Sequence, residues 1–115
     1  MGEATKMKDR WNQILHLQDR FYPSWRSNLP RTLYSTALAG EVGELCGIIT
    51  HLDGGGTNNQ KYDNSMILEE AVDSFIQLIL LIERSGFNYG DFNNALIHKI
   101  LVLHKRLEKK EMQQK

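Results

Sequence analysis

The sequence predicts an all-α protein, a single domain over residues 1–115 arranged as a four-helix bundle, and three observations carry that prediction. Apolar residues repeat at about 3.6 positions in each apolar segment, and no segment alternates apolar with polar as a half-buried strand would. Both prolines and the glycine clusters fall between these segments, where they stop helices. The chain has no internal repeat, and its 115 residues suffice for one core but not for two.

The first helix is expected from about Thr5 to Arg20, with Met7, Trp11, Ile14, Leu15 and Gln18 at helical spacing and polar residues between them. Tyr22 to Pro30 holds both prolines with Trp25, Ser27 and Asn28, the pattern of a connector that ends one helix and re-aims the chain; its aromatics serve as packing anchors. The second helix is expected over Thr32 to Leu52. At about 100° per residue, Tyr34, Leu38, Val42, Leu45, Ile49 and Leu52 share one broad face, with Glu41 inside that face and Glu44 at its edge. Cys46, between core positions and without a partner base, is expected to be a small buried hydrophobe. Gly54, Gly55 and Gly56 end the helix, and the polar stretch Asp53 to Asn64 forms a mobile loop that either closes over a ligand or simply connects. The triple glycine is no phosphate-binding loop, because neither a preceding strand nor a Gly-Lys-Ser/Thr ending accompanies it.

The third helix begins at Asn64 or Ser65, either of which can cap its amides, and ends before Gly86. Ile67, Leu68, Ala71, Val72, Phe75, Leu78, Ile79 and Ile82 cover one half of it, and Ile76, Leu80 and Leu81 extend that cover, as in a central helix touching several neighbours. The polar remainder is a narrow strip of Glu70, Asp73 and Gln77, with Arg84 two turns beyond. After the Gly86–Gly90 turn a fourth helix starts at Asp91 or Asn93. Its Leu96, Ile100, Leu103 and Leu107 recur at four, three and four residues, a heptad-like seam suited to packing along another helix of this subunit or a second one. From Glu108 to Lys115 the chain is polar and expected to fray.

Composition narrows the function. Hydrophobic residues at 41%, charged residues at 24% and a mean hydropathy of −0.44 are those of a soluble globular protein. Lysine plus arginine and aspartate plus glutamate both number 14, so nothing biases the chain toward nucleic acid or an anionic membrane. The C-terminal third is locally basic through His98, Lys99, His104, Lys105, Arg106, Lys109 and Lys110, which suits a small anionic ligand. The longest apolar run, Leu78 to Ile82, is far too short to cross a bilayer. A lone cysteine and the lack of a secretory leader pattern point to the cytoplasm.

The chemistry-bearing pattern is a pair of acidic turns. Glu41-Val-Gly-Glu44 and Glu70-Ala-Val-Asp73 each set two carboxylates one turn apart on consecutive helices. Antiparallel packing brings all four to one volume, and Gly43 lets a ligand approach between the first two. Four carboxylates in a partly apolar setting repel one another and need a cation. An all-oxygen set without thiolates favours Mg²⁺ or Mn²⁺ over zinc. The alternative for such spacing is a solvated helix face. His51, beside the apolar stripe, can stack on a base, donate to a phosphate or be structural; His98, Lys99 and Arg106 can neutralise phosphates or be ordinary solvated residues.

The block Ala37-Leu-Ala-Gly-Glu-Val-Gly-Glu-Leu45, followed after a polar loop by Glu69-Glu-Ala-Val-Asp73 and a leucine/isoleucine helix, resembles the MazG-like nucleoside triphosphate pyrophosphohydrolases. The nearer likeness is to the short dCTP-pyrophosphatase-like type, and it spans about Leu29 to Arg106. The resemblance implies a MazG-like bundle completed by oligomerisation as a homodimer or homotetramer. It implies Mg²⁺ held by Glu41, Glu44, Glu70 and Asp73, and hydrolysis of (d)NTPs to monophosphate and pyrophosphate. Glu69 becomes an accessory acid that helps orient water, and Lys99 matches a basic residue that opens the last helical motif. The chain departs from the pattern at Leu101 and Leu103, where relatives carry an acid and an Asn, at Gly47 in place of a further acid, and at His51 in place of a frequent Trp. Glu41 is either the group that activates water or a metal ligand. The competing functions are a non-catalytic helical interaction module, its leucine seam binding a partner helix, and an inactive relative of the family.

Overall fold

Local stop signals divide the described residues into five helices rather than four. The computed structural model describes residues 3–54 and 62–114, with side chains from Lys6 onward. The order is α1 (Glu3–Phe21), α2 (Trp25–Asn28), α3 (Arg31–Asp53), α4 (Asn64–Arg84) and α5 (Tyr89–Gln113), with no strand among the described residues. The expected connector contains the extra element: Ser24, held at φ 66°, turns the chain into the single turn of α2. Part of the loop expected over residues 53–64, together with Gly55 and Gly56, lies outside the described residues.

Helix ends follow capping chemistry, which refines three sequence expectations. Asp63, not Asn64 or Ser65, caps α4: its carboxylate accepts from the backbone N–H groups of Ser65 at 2.9 Å and Met66 at 3.3 Å and from the Ser65 hydroxyl. α5 starts at Tyr89, earlier than Asp91 or Asn93, because Asn88 and Asp91 close a reciprocal capping box at 2.9 and 3.0 Å. Its far end stays helical to Gln113 instead of fraying after Leu107. α4 stops in a Schellman turn, with Phe87 N–H donating to the Ile82 carbonyl and Gly86 N–H to that of Glu83. Gly86 sits at φ +93° there, a conformation that a side chain would strain.

α3 and α4 pack antiparallel and supply the principal helix pairing. Tyr34 near the start of α3 meets Leu80 late in α4, and His51 near the end of α3 meets Tyr62 just before α4. The inward stripe of α3 runs through the buried Tyr34 and Ile48 and the half-buried Leu45 and Leu52, while Val42 and Ile49, expected on that face, are exposed. This small rotation places Glu41 closer to the seam than its neighbours Val42 and Gly43. Cys46 is exposed rather than buried for the same reason.

α1 and α2 fasten to the far end of this hairpin. Trp25, Tyr34 and Leu80 form the core cluster, with Ile14, Leu15, Leu29, Ile76 and Leu81 packed around it. Trp11 is fully buried, whereas Met7, expected on the same face, is exposed. The Trp11 indole N–H donates to Glu83 at 2.7 Å, and Arg26 donates to the other Glu83 oxygen at 3.1 Å while lying 4.6 Å above the Trp25 ring. Trp25 N–H donates to Asp19 at 2.7 Å and Arg84 to the Leu29 carbonyl at 2.6 Å, so the connector is held by directional bonds as well as by burial.

α5 lies along none of the other helices. Its described contacts cluster at its start, where Tyr89 and Phe92 pack against Trp11 with centroids 5.4 Å away, and none of its residues is buried. The radius of gyration, 18.2 Å, accordingly exceeds the value of about 13 Å typical of a compact chain of this length. No helix among the described residues is long and apolar enough to cross a membrane.

Glu83 is 9% exposed and satisfies donors from two different helices, so Glu83→Ala leaves the Trp11 N–H and the Arg26 charge without their acceptor. Unfolding free energy should fall by about 2–4 kcal/mol in urea titrations. A loss under about 0.5 kcal/mol, the level of an ordinary surface change, would contradict the anchoring role.

Candidate functional site

The α3–α4 pairing brings carboxylates from both helices to one point. Glu41 and Glu44, one turn apart on α3, and Glu70 on α4 each place a carboxylate oxygen within 4.8 Å of the others. Glu41 and Glu70 are half-buried and Glu44 is exposed, so the group opens to solvent on the Glu44 side. Among the described residues Asp73 is outside this close group. It is half-buried on the next turn of α4, and Glu69 is exposed beside Glu70.

Acids at this separation oppose one another's ionisation. One Glu70 oxygen, Oε2, is buried and has no hydrogen-bond partner. The Glu70 carboxyl is pushed up to about 7, first by sharing a proton with Glu41, then by burial, and then by the charge of Glu44. A proton is one way to relieve the group; a cation is the other. The donor set, three carboxylates, suits a hard divalent ion.

A cleft of about 320 Å³ adjoins the acids, lined by Glu44, Gly47, Ile48, His51, Tyr62 and Met66 together with Glu70. Space beyond Gly43 and Gly47 is open, and a Cβ added at either would meet no atom within 4 Å. At the outer end of the cleft His51 and Tyr62 stack, with ring centroids 4.6 Å apart and planes 11° from parallel. The site therefore joins a charge-hungry group to a flat aromatic wall, an arrangement able to hold an anion–metal pair at one end and a planar ring at the other. A second cavity of about 290 Å³ lies toward α1, where Gln18 donates to the Tyr34 hydroxyl at 3.0 Å.

Of the residues expected from sequence, the structure gathers Glu41, Glu44, Glu70 and His51 around one cleft. It places His98, Lys99 and Arg106 on the exposed surface of α5, away from that cleft in the single chain. Tyr62 escaped the sequence reading. Its signal was faint: a lone aromatic in a polar loop, one residue ahead of the helix-capping Asp63. Glu83 was missed too, since its position three residues before the glycine turn carries no sign that two indole- and guanidinium-bearing segments converge on it.

No protein-family model, no curated protein and no solved structure matches the chain.

The raised Glu70 carboxyl gives a signed pH dependence. Its ordinary value is 4.5 and its folded value about 7, so between them the folded chain keeps a proton that the unfolded chain releases. The contribution of this group to stability is therefore greatest below its unfolded value and declines as pH rises through the folded one. Thermal melts should show that decline, relief of it by millimolar Mg²⁺ above neutrality, and its disappearance in Glu70→Gln. An identical pH slope in wild type and E70Q would show that the three acids do not interact as described.

Proposed function

We propose that this chain is a Mg²⁺-dependent nucleoside triphosphate pyrophosphohydrolase, cleaving (deoxy)nucleoside triphosphates to the monophosphate and pyrophosphate, and working as a cytoplasmic homodimer or homotetramer. The observation that carries the proposal is the convergence of Glu41, Glu44 and Glu70 to within 4.8 Å in the helix seam, one Glu70 oxygen being buried and without a partner. The resemblance of residues 37–45 and 69–73 to the paired acidic motifs of MazG-like enzymes supports the same chemistry.

Glu41, Glu44 and Glu70, with Asp73 from the following turn of α4, would hold Mg²⁺, for which Mn²⁺ is the natural substitute. The ion, when bound, supplies charge that polarises a phosphate and acidifies water. The chain's own groups do the positioning. Half-buried Glu41 keeps one face toward the seam, either as a ligand or as acceptor of a proton from the attacking water. Glu69, exposed next to Glu70, is the accessory acid able to orient that water. The His51–Tyr62 stack offers a face to a nucleobase at the end of the cleft. His98, Lys99 and Arg106 would offset phosphate charge.

A panel of standard, oxidised and methylated (d)NTPs, with pyrophosphate and orthophosphate assayed separately, tests the proposal. At least one substrate should yield pyrophosphate only when Mg²⁺ is present, with turnover reduced by about 100-fold or more in E41Q and E70Q. Orthophosphate release alone, or turnover untouched by either change, would refute it. His51→Ala should raise KM by about three- to tenfold with kcat nearly unchanged, as for loss of a stacking contact; an unchanged KM would remove the base from that end of the cleft.

A second reading, a non-catalytic helical interaction module, is favoured by one feature, the exposed seam of α5. Magnesium-dependent binding of a non-hydrolysable nucleotide that is lost in E41Q and D73N supports the enzyme; binding indifferent to both supports the module.

A further inference from the structure

The cleft beside the acids is built in three layers. At one end stand Glu44 of α3 and Glu70 of α4, and at the other His51 stacks on Tyr62. Between them lie Gly47 and Ile48 from α3 and Met66 from α4. Helical register sets this order: Glu44, Gly47, Ile48 and His51 fall within one stripe of α3, and Met66 lies one turn before Glu70 on α4, which runs the other way. Glu44 and His51 are about 10 Å apart along the helix axis. A ligand with its charged end on the acids and a flat ring on the stack therefore lays whatever joins the two against the middle layer.

That middle layer holds nothing that reads a hydroxyl. Ile48 is buried, Met66 is half-buried, and among the described residues of the layer no side chain carries an N–H or O–H donor. Gly47 has no side chain at all, and a Cβ added to it would meet no atom within 4 Å. Glycine in a helix interior costs stability relative to alanine, and no close packing demands it here; what it leaves is open volume in the wall of the cleft. Glu44, one turn earlier on the same stripe, is exposed, so the gap at Gly47 lies on the solvent side. A hydroxyl without a protein partner keeps its water best on that side, while the apolar part of the unit that bears it packs on Ile48 and Met66.

In a nucleotide the unit between phosphates and base is the sugar. We propose that Gly47 faces the 2′ edge of that sugar and, by leaving it neither bonded nor blocked, makes the site take ribonucleotides and deoxyribonucleotides nearly alike. A site tells a 2′-hydroxyl from a hydrogen by a group that bonds it or by a side chain that excludes it, and the described residues of the middle layer supply neither. The inference rests on the nucleotide reading of the site given above, but on binding alone, so it can stand or fall separately from hydrolysis.

The test is equilibrium binding to the full chain, with Mg²⁺ present, of the α,β-imido analogues of the four common ribonucleoside triphosphates and of their deoxy counterparts, compared base by base. Wild type should separate the two sugars by less than about tenfold, as a site that neither bonds nor blocks the hydroxyl does. Gly47→Leu fills the gap and should weaken the ribo form by about tenfold or more beyond any effect on the deoxy form. Gly47→Ala, which favours the helix, should move the ratio the same way by about two- to threefold, and it keeps the ratio measurable if leucine excludes both sugars. Cys46→Leu adds the same side chain at the adjacent exposed position, outside the cleft lining, and should leave the ratio at its wild-type value. A wild-type preference beyond about tenfold for either sugar overturns the proposal, as does a ratio unmoved or reversed in the Gly47 variants, or an equal shift in Cys46→Leu. Sugar-tolerant binding that responds to Gly47 without any pyrophosphate release upholds this inference and refutes the hydrolase; pyrophosphate release with firm sugar discrimination does the reverse. Binding of none of the analogues overturns both.

Discussion

Carboxylates in a helix–helix seam are the constraint on which this structure turns. α3 presents Glu41 where its neighbours along the stripe are Tyr34, Leu45 and Ile48, and α4 answers with Glu70 rather than with a leucine. Well-packed apolar side chains would hold such a seam more tightly than acids, because desolvated like charges oppose packing. The hairpin tolerates them because its other end is strongly fixed: Trp25, Tyr34 and Leu80 are buried together, and Glu83 ties α1 and α2 to α4 through Trp11 and Arg26. One end of the hairpin supplies cohesion, the other a charged opening, and the stacked His51 and Tyr62 border that opening where α3 ends.

Much of this was visible in the residues. Period and stop signals located the long helices to within a few positions, because amphipathic spacing and glycine turns are local properties. The acids were legible for the same reason: Glu41 fell inside an apolar face, and an acid there has few explanations. What escaped was set by tertiary contacts. A rotation of α3 by a fraction of a turn moved Val42, Ile49 and Cys46 outward and Ile48 inward, a shift that a broad apolar face leaves undetermined. α2 escaped because a single turn is too short to show a period, and Asp63 because cap candidates stood in a row from Asp63 to Ser65. Tyr62 gained its meaning from His51, eleven positions earlier, which no local pattern connects.

α5 shows the limit of a single chain as a unit. Its seam reads in the sequence as a surface suited to packing along another helix, and among the described residues no other helix lies along it. The basic residues that could balance phosphates ride on that same helix. Cohesion, charge balance and the proposed chemistry thus converge on one physical requirement, a source of positive charge at the acidic turn, whether a proton, a divalent ion or basic side chains.

The most direct measurement is calorimetric titration of Mg²⁺ into the metal-free protein at pH 7 in buffers of different ionisation enthalpy. With the Glu70 carboxyl near 7, binding should release roughly half a proton per site, and the release should vanish well above neutrality, where that carboxyl is already ionised, and in E70Q. Absence of Mg²⁺ binding both at pH 7 and well above neutrality, or binding with no proton release and no change in E70Q, would contradict the central claim that Glu41, Glu44 and Glu70 act as one site in which a cation takes the place of a proton.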